Sequence, residues 1–304
     1  MSEDGVAPVV AAMLILAIGV TFFAAWNAYY VPSMKAQSEI IHLKEVETGF
    51  LHFSSDIETA ASLKTNTKLS EPIPLGGGDF TFDPVQSGGS LRIQNDTYGY
   101  LRIRIINGTT TPQAVSVNFL HLSNYSYQTV DNFWLDQGYV WSYGYVNVTK
   151  GPLATPLQST GMDDVNYGLT GALFGLDTVP WPEDPSKCSQ ITVYSVNITP
   201  ASGNSVASGN GNAMLVLNST VANQQFTNVT NLNISVNRYL PGGFQNALWN
   251  TVNQSTNGMT CGNVQVILPS HSDPSSNQTI QLVFAPIPNM TVNRKITVIS
   301  LGAE

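Results

Sequence analysis

Charge is scarce in this 304-residue chain: 11% of residues are Asp, Glu, Lys or Arg, against about 25% in a typical soluble domain. Twelve basic residues face twenty acidic ones, giving a net charge of −8. A nucleic-acid partner is excluded, because that function needs a basic face. Two cysteines exclude a disulfide-dense mini-scaffold and a Cys-rich zinc module. There are four histidines, and the sequence has no H-E-x-x-H, G-x-S-x-G or Cys/His cluster. No enzyme activity, catalytic residue, cofactor or metal is therefore expected. The apolar fraction is an ordinary 42%, which argues against wholesale disorder. Asn, Ser, Thr and Gly take the place of the missing charge.

Apolar length is plentiful at the N-terminus. Val6–Trp26 reads VAPVVAAMLILAIGVTFFAAW without a charged side chain. As a helix it spans about 32 Å, enough for a bilayer core. Trp26, Tyr29 and Tyr30 follow where an aromatic belt would lie. A cleaved secretory signal needs a basic start and a shorter run; this chain starts MSEDG. Pro8 falls in the first turn, where proline is tolerated. Pro32 is expected to kink or interrupt the helix.

Beyond Pro32, Leu43, Val46, Phe50, Phe53, Ile57 and Ala60 recur at steps of 3 and 4. That is the apolar seam of a packed helix. It has two candidate covers, the chain's own downstream domain or other copies of the chain. The expected organisation is a candidate leader at 1–5, a transmembrane or filament-core helix at 6–31 and an amphipathic stalk helix at 33–66. A β-rich extracellular region follows at 70–304, as one or two sub-domains.

The β reading rests on short alternating runs bounded by turn residues. They are Leu91–Gln94, Leu101–Ile106, Ala114–Leu122, Tyr145–Thr149, Ile191–Thr199, Ala213–Val221, Asn231–Tyr239, Asn263–Pro269, Thr279–Pro286 and Lys295–Ser300. Pro72, Pro74 and Gly76–Gly78 suggest a linker. Ser202–Asn212 (SGNSVASGNGN) is expected to close a hairpin. One helix is expected at Pro241–Val252, with Phe244, Leu248 and Val252 four apart. The fold class is thus a long N-terminal α-helix, membrane-spanning and then amphipathic, followed by a mainly β, sandwich-like ectodomain with one short helix.

The β region holds eleven N-x-S/T sequons, and none precedes it. Their asparagines are Asn95, Asn107, Asn124, Asn147, Asn197, Asn218, Asn228, Asn233, Asn253, Asn277 and Asn289. Chance gives about five for this composition, so glycosylation is a candidate role, with turn and edge composition as the alternative. Cys188 and Cys261, 73 residues apart, are a disulfide candidate if the region faces an oxidising space. Lys35 and Lys44 follow the span while the leader is acidic, which on the positive-inside rule favours the reverse orientation. The sequons favour an external β region.

Other constellations are weaker. His42 and His52, ten apart, fall near one helix face, and His121 and His271 stand alone. Asp163, Asp164 and Asn166 in GMDDVNYG offer loop oxygens of the type Ca²⁺ takes, although a solvated turn is the simpler reading. Asp131 with Asp136, and Glu183 with Asp184, are carboxylate pairs of unknown separation. Phe133, Trp134, Tyr139, Trp141, Tyr143 and Tyr145 form either an adhesive aromatic patch or β-domain core.

The run Asp4–Trp26 (DGVAPVVAAMLILAIGVTFFAAW) resembles the N-terminus of archaeal type IV pilin-like proteins. That family shows a glycine, a small or apolar residue, Ser-Pro-Val and a uniform apolar helix. Gly5, Val6, Ala7, Pro8 and Val9 follow the arrangement, with Ala7 in place of serine. Val31–Ile57 is also similar to surface proteins with this start. The resemblance covers about 65 residues and stops at the β region. It implies peptidase cleavage after Gly5, leaving Val6 as the mature N-terminus. It also implies a helix that anchors the subunit in lipid and then packs against its own kind in a filament, with the β region outermost for adhesion. The family's leader carries Lys or Arg before the glycine, whereas this one has Glu3 and Asp4. A permanently anchored surface protein with a binding domain is the alternative.

Overall fold

The computed structural model describes residues 6–76, 87–108, 113–130, 132, 134–157, 162–269, 278–285 and 290–304. Helix α1 (Val6–Ala25) runs through a π-helical turn (Trp26–Tyr30) into α2 (Val31–Leu63). Two polar side chains within this apolar stretch bond to the helix itself. Thr21 Oγ1 donates to the Ile18 carbonyl at 2.9 Å, and Asn27 Nδ2 to the Phe23 carbonyl at 2.9 Å. The helix is not ended at Pro32; the departure from α-helical geometry expected there falls in the π turn just before it. Proline lacks an N–H, and its ring crowds the carbonyl four residues earlier. The π turn just before it shifts the ladder, and the Val31 N–H donates to the Trp26 carbonyl. The helix ends at Leu63, where Lys64 adopts φ 52° and donates its N–H to the Ala60 carbonyl.

Among the described residues sixteen strands, numbered along the chain, form three sheets. Sheet A has the order β1 (Thr67–Pro74), β12 (Asn212–Thr227), β16 (Thr291–Ala303), β10 (Cys188–Pro200), β9 (Phe174–Pro180). Sheet B runs β11 (Val206–Gly209), β2 (Gly88–Asn95), β5 (Ser123–Val130), β6 (Gly138–Ser142), β7 (Tyr145–Lys150), β8 (Leu153–Pro156). Sheet C runs β14 (Val264–Ile267), β15 (Gln278–Phe284), β13 (Val229–Val236), β3 (Leu101–Asn107), β4 (Gln113–Leu120). Among the described residues every pairing is antiparallel except β10 with β16. The sheets pack as a sandwich. Alternation drives this: Leu101, Ile103 and Ile105 on β3 and Leu232, Ile234 and Val236 on β13 point inward and are buried. Buried side chains of α2, the three sheets, α3 (Met162–Leu173) and α4 (Gly242–Asn257) form one contiguous core.

Several local expectations are corrected. Pro72 and Pro74 lie on β1, an edge strand of sheet A, where a missing N–H is tolerated; they do not mark a linker. Ser202–Asn212 closes no hairpin. It contains β11, which pairs with β2 in another sheet, while β16 lies between β10 and β12. Ala114–Leu122 is not one strand, because the chain leaves sheet C at Leu120 and enters sheet B at Ser123. GMDDVNYG is no turn, since Asp163, Asp164 and Asn166 belong to the start of α3. Gly168 and Gly171 weaken helix propensity there, but Leu169 and Leu173 are buried in the core. Helix α4 lies at the place expected from Phe244, Leu248 and Val252, and among the described residues α3 adds a further helical segment.

Candidate functional site

The N-terminal helix divides into two parts with opposite surroundings. Residues 8–30 are exposed without exception. Ten large apolar side chains from Val9 to Phe23 are between 48% and 71% exposed. Leaving that many in water forfeits about 15–30 kcal/mol, more than the whole stability of an ordinary domain, about 5–15 kcal/mol. The segment is long and apolar enough to cross a membrane. None of its apolar window is buried in the domain, so it is not a core helix. Trp26 packs against Tyr30 in a tilted pair, with ring centroids 4.2 Å apart, and lies 6.3 Å from Phe22. That puts amphipathic rings at the C-terminal end of α1.

The second part belongs to the domain. Leu43, Val46, Phe50, Phe53, Ile57 and Ala60 are at most 3% exposed. Of the two covers left open for the seam, the structure shows the chain's own β region. Gly49 marks the closest approach: a Cβ there would lie 2.5 Å from Ile73 Cδ1 and 3.4 Å from the Pro72 carbonyl on β1. Sheet B supplies aromatic partners. Tyr125 packs against Phe50 and Phe53 and donates its hydroxyl to the Phe50 carbonyl at 3.0 Å. Trp141 stacks on Tyr125 and donates Nε1–H to Ser54 Oγ at 2.9 Å. The Tyr139 hydroxyl donates to Glu47 at 3.4 Å.

The junction between the parts carries buried polar groups. Glu39, 4% exposed, accepts the backbone N–H groups of Trp134 and Leu135 at 2.9 and 3.1 Å. Tyr127 donates its hydroxyl to the Leu75 carbonyl, so His42 Nε2–H donates to the Tyr127 oxygen, both at 2.9 Å. Burial lowers the His42 pKa, against the opposing pull of Glu45 and Glu39. Burial also pushes the Tyr139 phenol up to about 12, with the Glu47 charge adding to it. Sequence reasoning missed this network. Its one signal was tyrosine or tryptophan at every second position, 125, 127, 139 and 141.

The other candidates scatter. His42 is buried on Tyr127, while His52 is exposed and meets Glu71 at 3.2 Å. Ten residues is 2.8 turns, which leaves the two well off one face. The His121 N–H donates to Asn197 Oδ1 at 2.8 Å. Asp184 pairs with Lys187 at 2.7 Å, and that contact and Ser186 hold its carboxyl down at about 2. Asp136 and Glu183 are exposed; Asp131, Phe133 and His271 lie outside the described residues. Of the aromatic cluster, Tyr139 and Trp141 are core, Tyr143 packs on Phe244, and Trp134 is 53% exposed. Cys188 and Cys261 form a disulfide with Cα atoms 5.3 Å apart. Beside it, Asn263 Oδ1 accepts the Cys188 N–H and its Nδ2 donates to the Cys188 carbonyl.

The sequons separate by exposure. Asn95, Asn218 and Asn228 are exposed, and Asn107, Asn124, Asn147, Asn197, Asn233 and Asn253 are half-buried. Asn277 and Asn289 lie outside the described residues, as does Gly5. Val6 is the first residue of α1. Among the described residues no three His, Cys, Asp or Glu side chains converge in a way that would hold a metal. No protein-family model, no curated protein and no solved structure matches this chain.

Proposed function

We propose that the chain is a pilin-like cell-surface structural subunit that works by anchoring and assembly rather than catalysis, without a cofactor. One observation carries this reading: a single helix whose first half is an exposed apolar rod and whose second half is built into the core of a β domain. The rod needs lipid before assembly and sister rods afterwards, which is the division of labour the pilin-type N-terminus implies. In lipid or in a bundle its backbone is satisfied internally. Gly19 has open space around it, so a neighbouring helix can approach closely there. The β domain is the exterior, available for glycosylation and surface contact, with an unknown adhesion target.

The α2 seam supports a second reading. Because Leu43–Ala60 is used up inside the chain, self-association through the helix falls on residues 6–41. A permanently anchored single-pass protein with the same domain follows if that shorter segment does not assemble. Electron microscopy of sheared surface material, with mass spectrometry of the N-terminal peptide, separates the two. Filaments whose subunits begin at Val6 support the first. An intact leader on membrane-bound protein with no filaments refutes it in favour of the second.

A further inference from the structure

The eleven sequons are chemically equivalent in sequence but not in the folded domain. N-glycosyl transfer is attack by the asparagine carboxamide nitrogen on the anomeric carbon of an activated glycosyl donor, such as a lipid-linked sugar phosphate. The C–N bond forms as the C–O bond to phosphate breaks. The amide nitrogen loses one proton, and the phosphate leaves with the bonding pair. The acceptor must offer its carboxamide and its third-position hydroxyl together, because both define the sequon. A folded acceptor therefore needs both residues exposed to solvent, with the amide nitrogen and the hydroxyl free of structural bonds.

Two of the nine described sequons meet that condition. On β12 the inward residues Leu215, Leu217 and Ser219 are buried, while Asn218 and Thr220 face outward and are both exposed. The register partners of Asn218 are Lys68 on β1 and Ser300 on β16. Asn95 ends β2, and Asn95 and Thr97 are both exposed. Asn95 Oδ1 accepts from Ser123 Oγ at 3.0 Å, and its Nδ2 donates to no described residue.

In six of the other seven the asparagine is half-buried, and in the seventh, Asn228, the hydroxyl is engaged. The Asn124 and Asn233 carboxamide oxygens are buried. Asn197 Oδ1 accepts the His121 N–H. Asn107 and Asn147 donate Nδ2 to the Thr227 and Val140 carbonyls at 3.5 Å. Asn253 sits inside α4 and accepts from Asn257. Asn228 is exposed in a left-handed turn at φ 54°, but its partner Thr230 donates its hydroxyl to the Ile106 and Gly108 carbonyls.

We propose that glycan is transferred to the folded domain and that Asn95 and Asn218 are its principal acceptors among the nine. This rests on the surface reading above. A glycan at Asn218 would lie on the outer face of sheet A, the face that also carries Met214, which is 36% exposed, and supply the hydration that so sparsely charged a surface lacks.

The test is site-by-site glycopeptide mass spectrometry of the full chain from its native cells, paired with protease shaving of intact cells. The expected result is majority occupancy at Asn95 and Asn218 and bare peptides at Asn124, Asn197 and Asn233. Asn218→Gln and Asn95→Gln each remove one glycan mass, and Asn233→Gln removes none. Occupancy at Asn124, Asn197 or Asn233 equal to that at Asn218 overturns the proposal, because transfer then precedes folding. Bare Asn95 and Asn218 on a domain that shaving releases also overturn it, while the surface reading stands. A domain that shaving does not reach, with every sequon bare, overturns both.

Discussion

Truncating Phe50 to alanine tests whether the second half of the long helix is core or stalk. The ring is fully buried, 4.9 Å from Tyr125 and 5.9 Å from Tyr139 between centroids. Removing a buried phenylalanine costs about 3–5 kcal/mol through lost transfer energy and the cavity left behind. The two aromatic contacts account for about 0.5–1.5 kcal/mol each within that total. A domain of this size loses about 2–4 °C in Tm per kcal/mol, so Phe50→Ala should melt about 6–20 °C lower. Ile41→Ala is the control: it is on the same helix but 53% exposed, and should cost no more than about 0.5 kcal/mol. The assay is thermal unfolding of the full chain in detergent micelles, followed by near-UV circular dichroism of the tryptophans. Equal losses for the two variants, or a Phe50→Ala melt within about 2 °C of the parent, would refute the docked-helix account.

Three further outcomes follow from the same contacts. Replacing Cys188 and Cys261 together with alanine opens a 73-residue loop; chain entropy puts the loss near 4 kcal/mol, and an unchanged denaturant midpoint would contradict it. Gly49→Val drives a side chain into Ile73 and the Pro72 carbonyl and should cost about 1–3 kcal/mol in the same melts, whereas Gly19→Val, with open space around it, should leave the domain's melt unchanged. Burial holds the folded His42 pKa below its ordinary 6.5, so the unfolded chain takes the proton first and stability falls as pH drops below about 6.5. Burial raises Glu58 above its ordinary 4.5, so that group favours folding at low pH and the benefit is lost as pH rises through its folded value. His42→Gln should flatten the acid-side loss in urea titrations at about pH 5 and about pH 7.5; an unchanged slope would sink the assignment.

Much of this architecture was legible because two signals are local. A charge-free run of bilayer length and a seam stepping by 3 and 4 require only counting along the chain. The helix at Phe244, Leu248 and Val252 was readable for the same reason. What covers the seam was not readable, since Tyr125, Tyr139 and Trp141 lie 75 to 92 residues from the helix residues they hydrogen-bond. Alternation marks strands but not which sheet they join. Hence Leu120 and Ser123 looked continuous, and β16 was not foreseen between β10 and β12. Helix α3 was hidden by its glycines, which packing overrides. The junction was hidden because a glutamate and a histidine on a helix look like surface until their buried partners are known.

Hydrogen exchange of the full chain, read by peptide mass spectrometry first in native membranes and then in detergent, tests the division of the helix most directly. Amides of 43–61 should exchange as slowly as those of β12 and β16 in both settings, because their protection comes from the domain's own core. Apolar side chains of 9–30, by contrast, should become reactive to a carbene-generating lipid probe only where lipid or detergent contacts them. Fast exchange across 43–61 once the membrane is removed, or lipid-probe labelling of Phe50 and Phe53, would contradict the account and return the seam to assembly between copies.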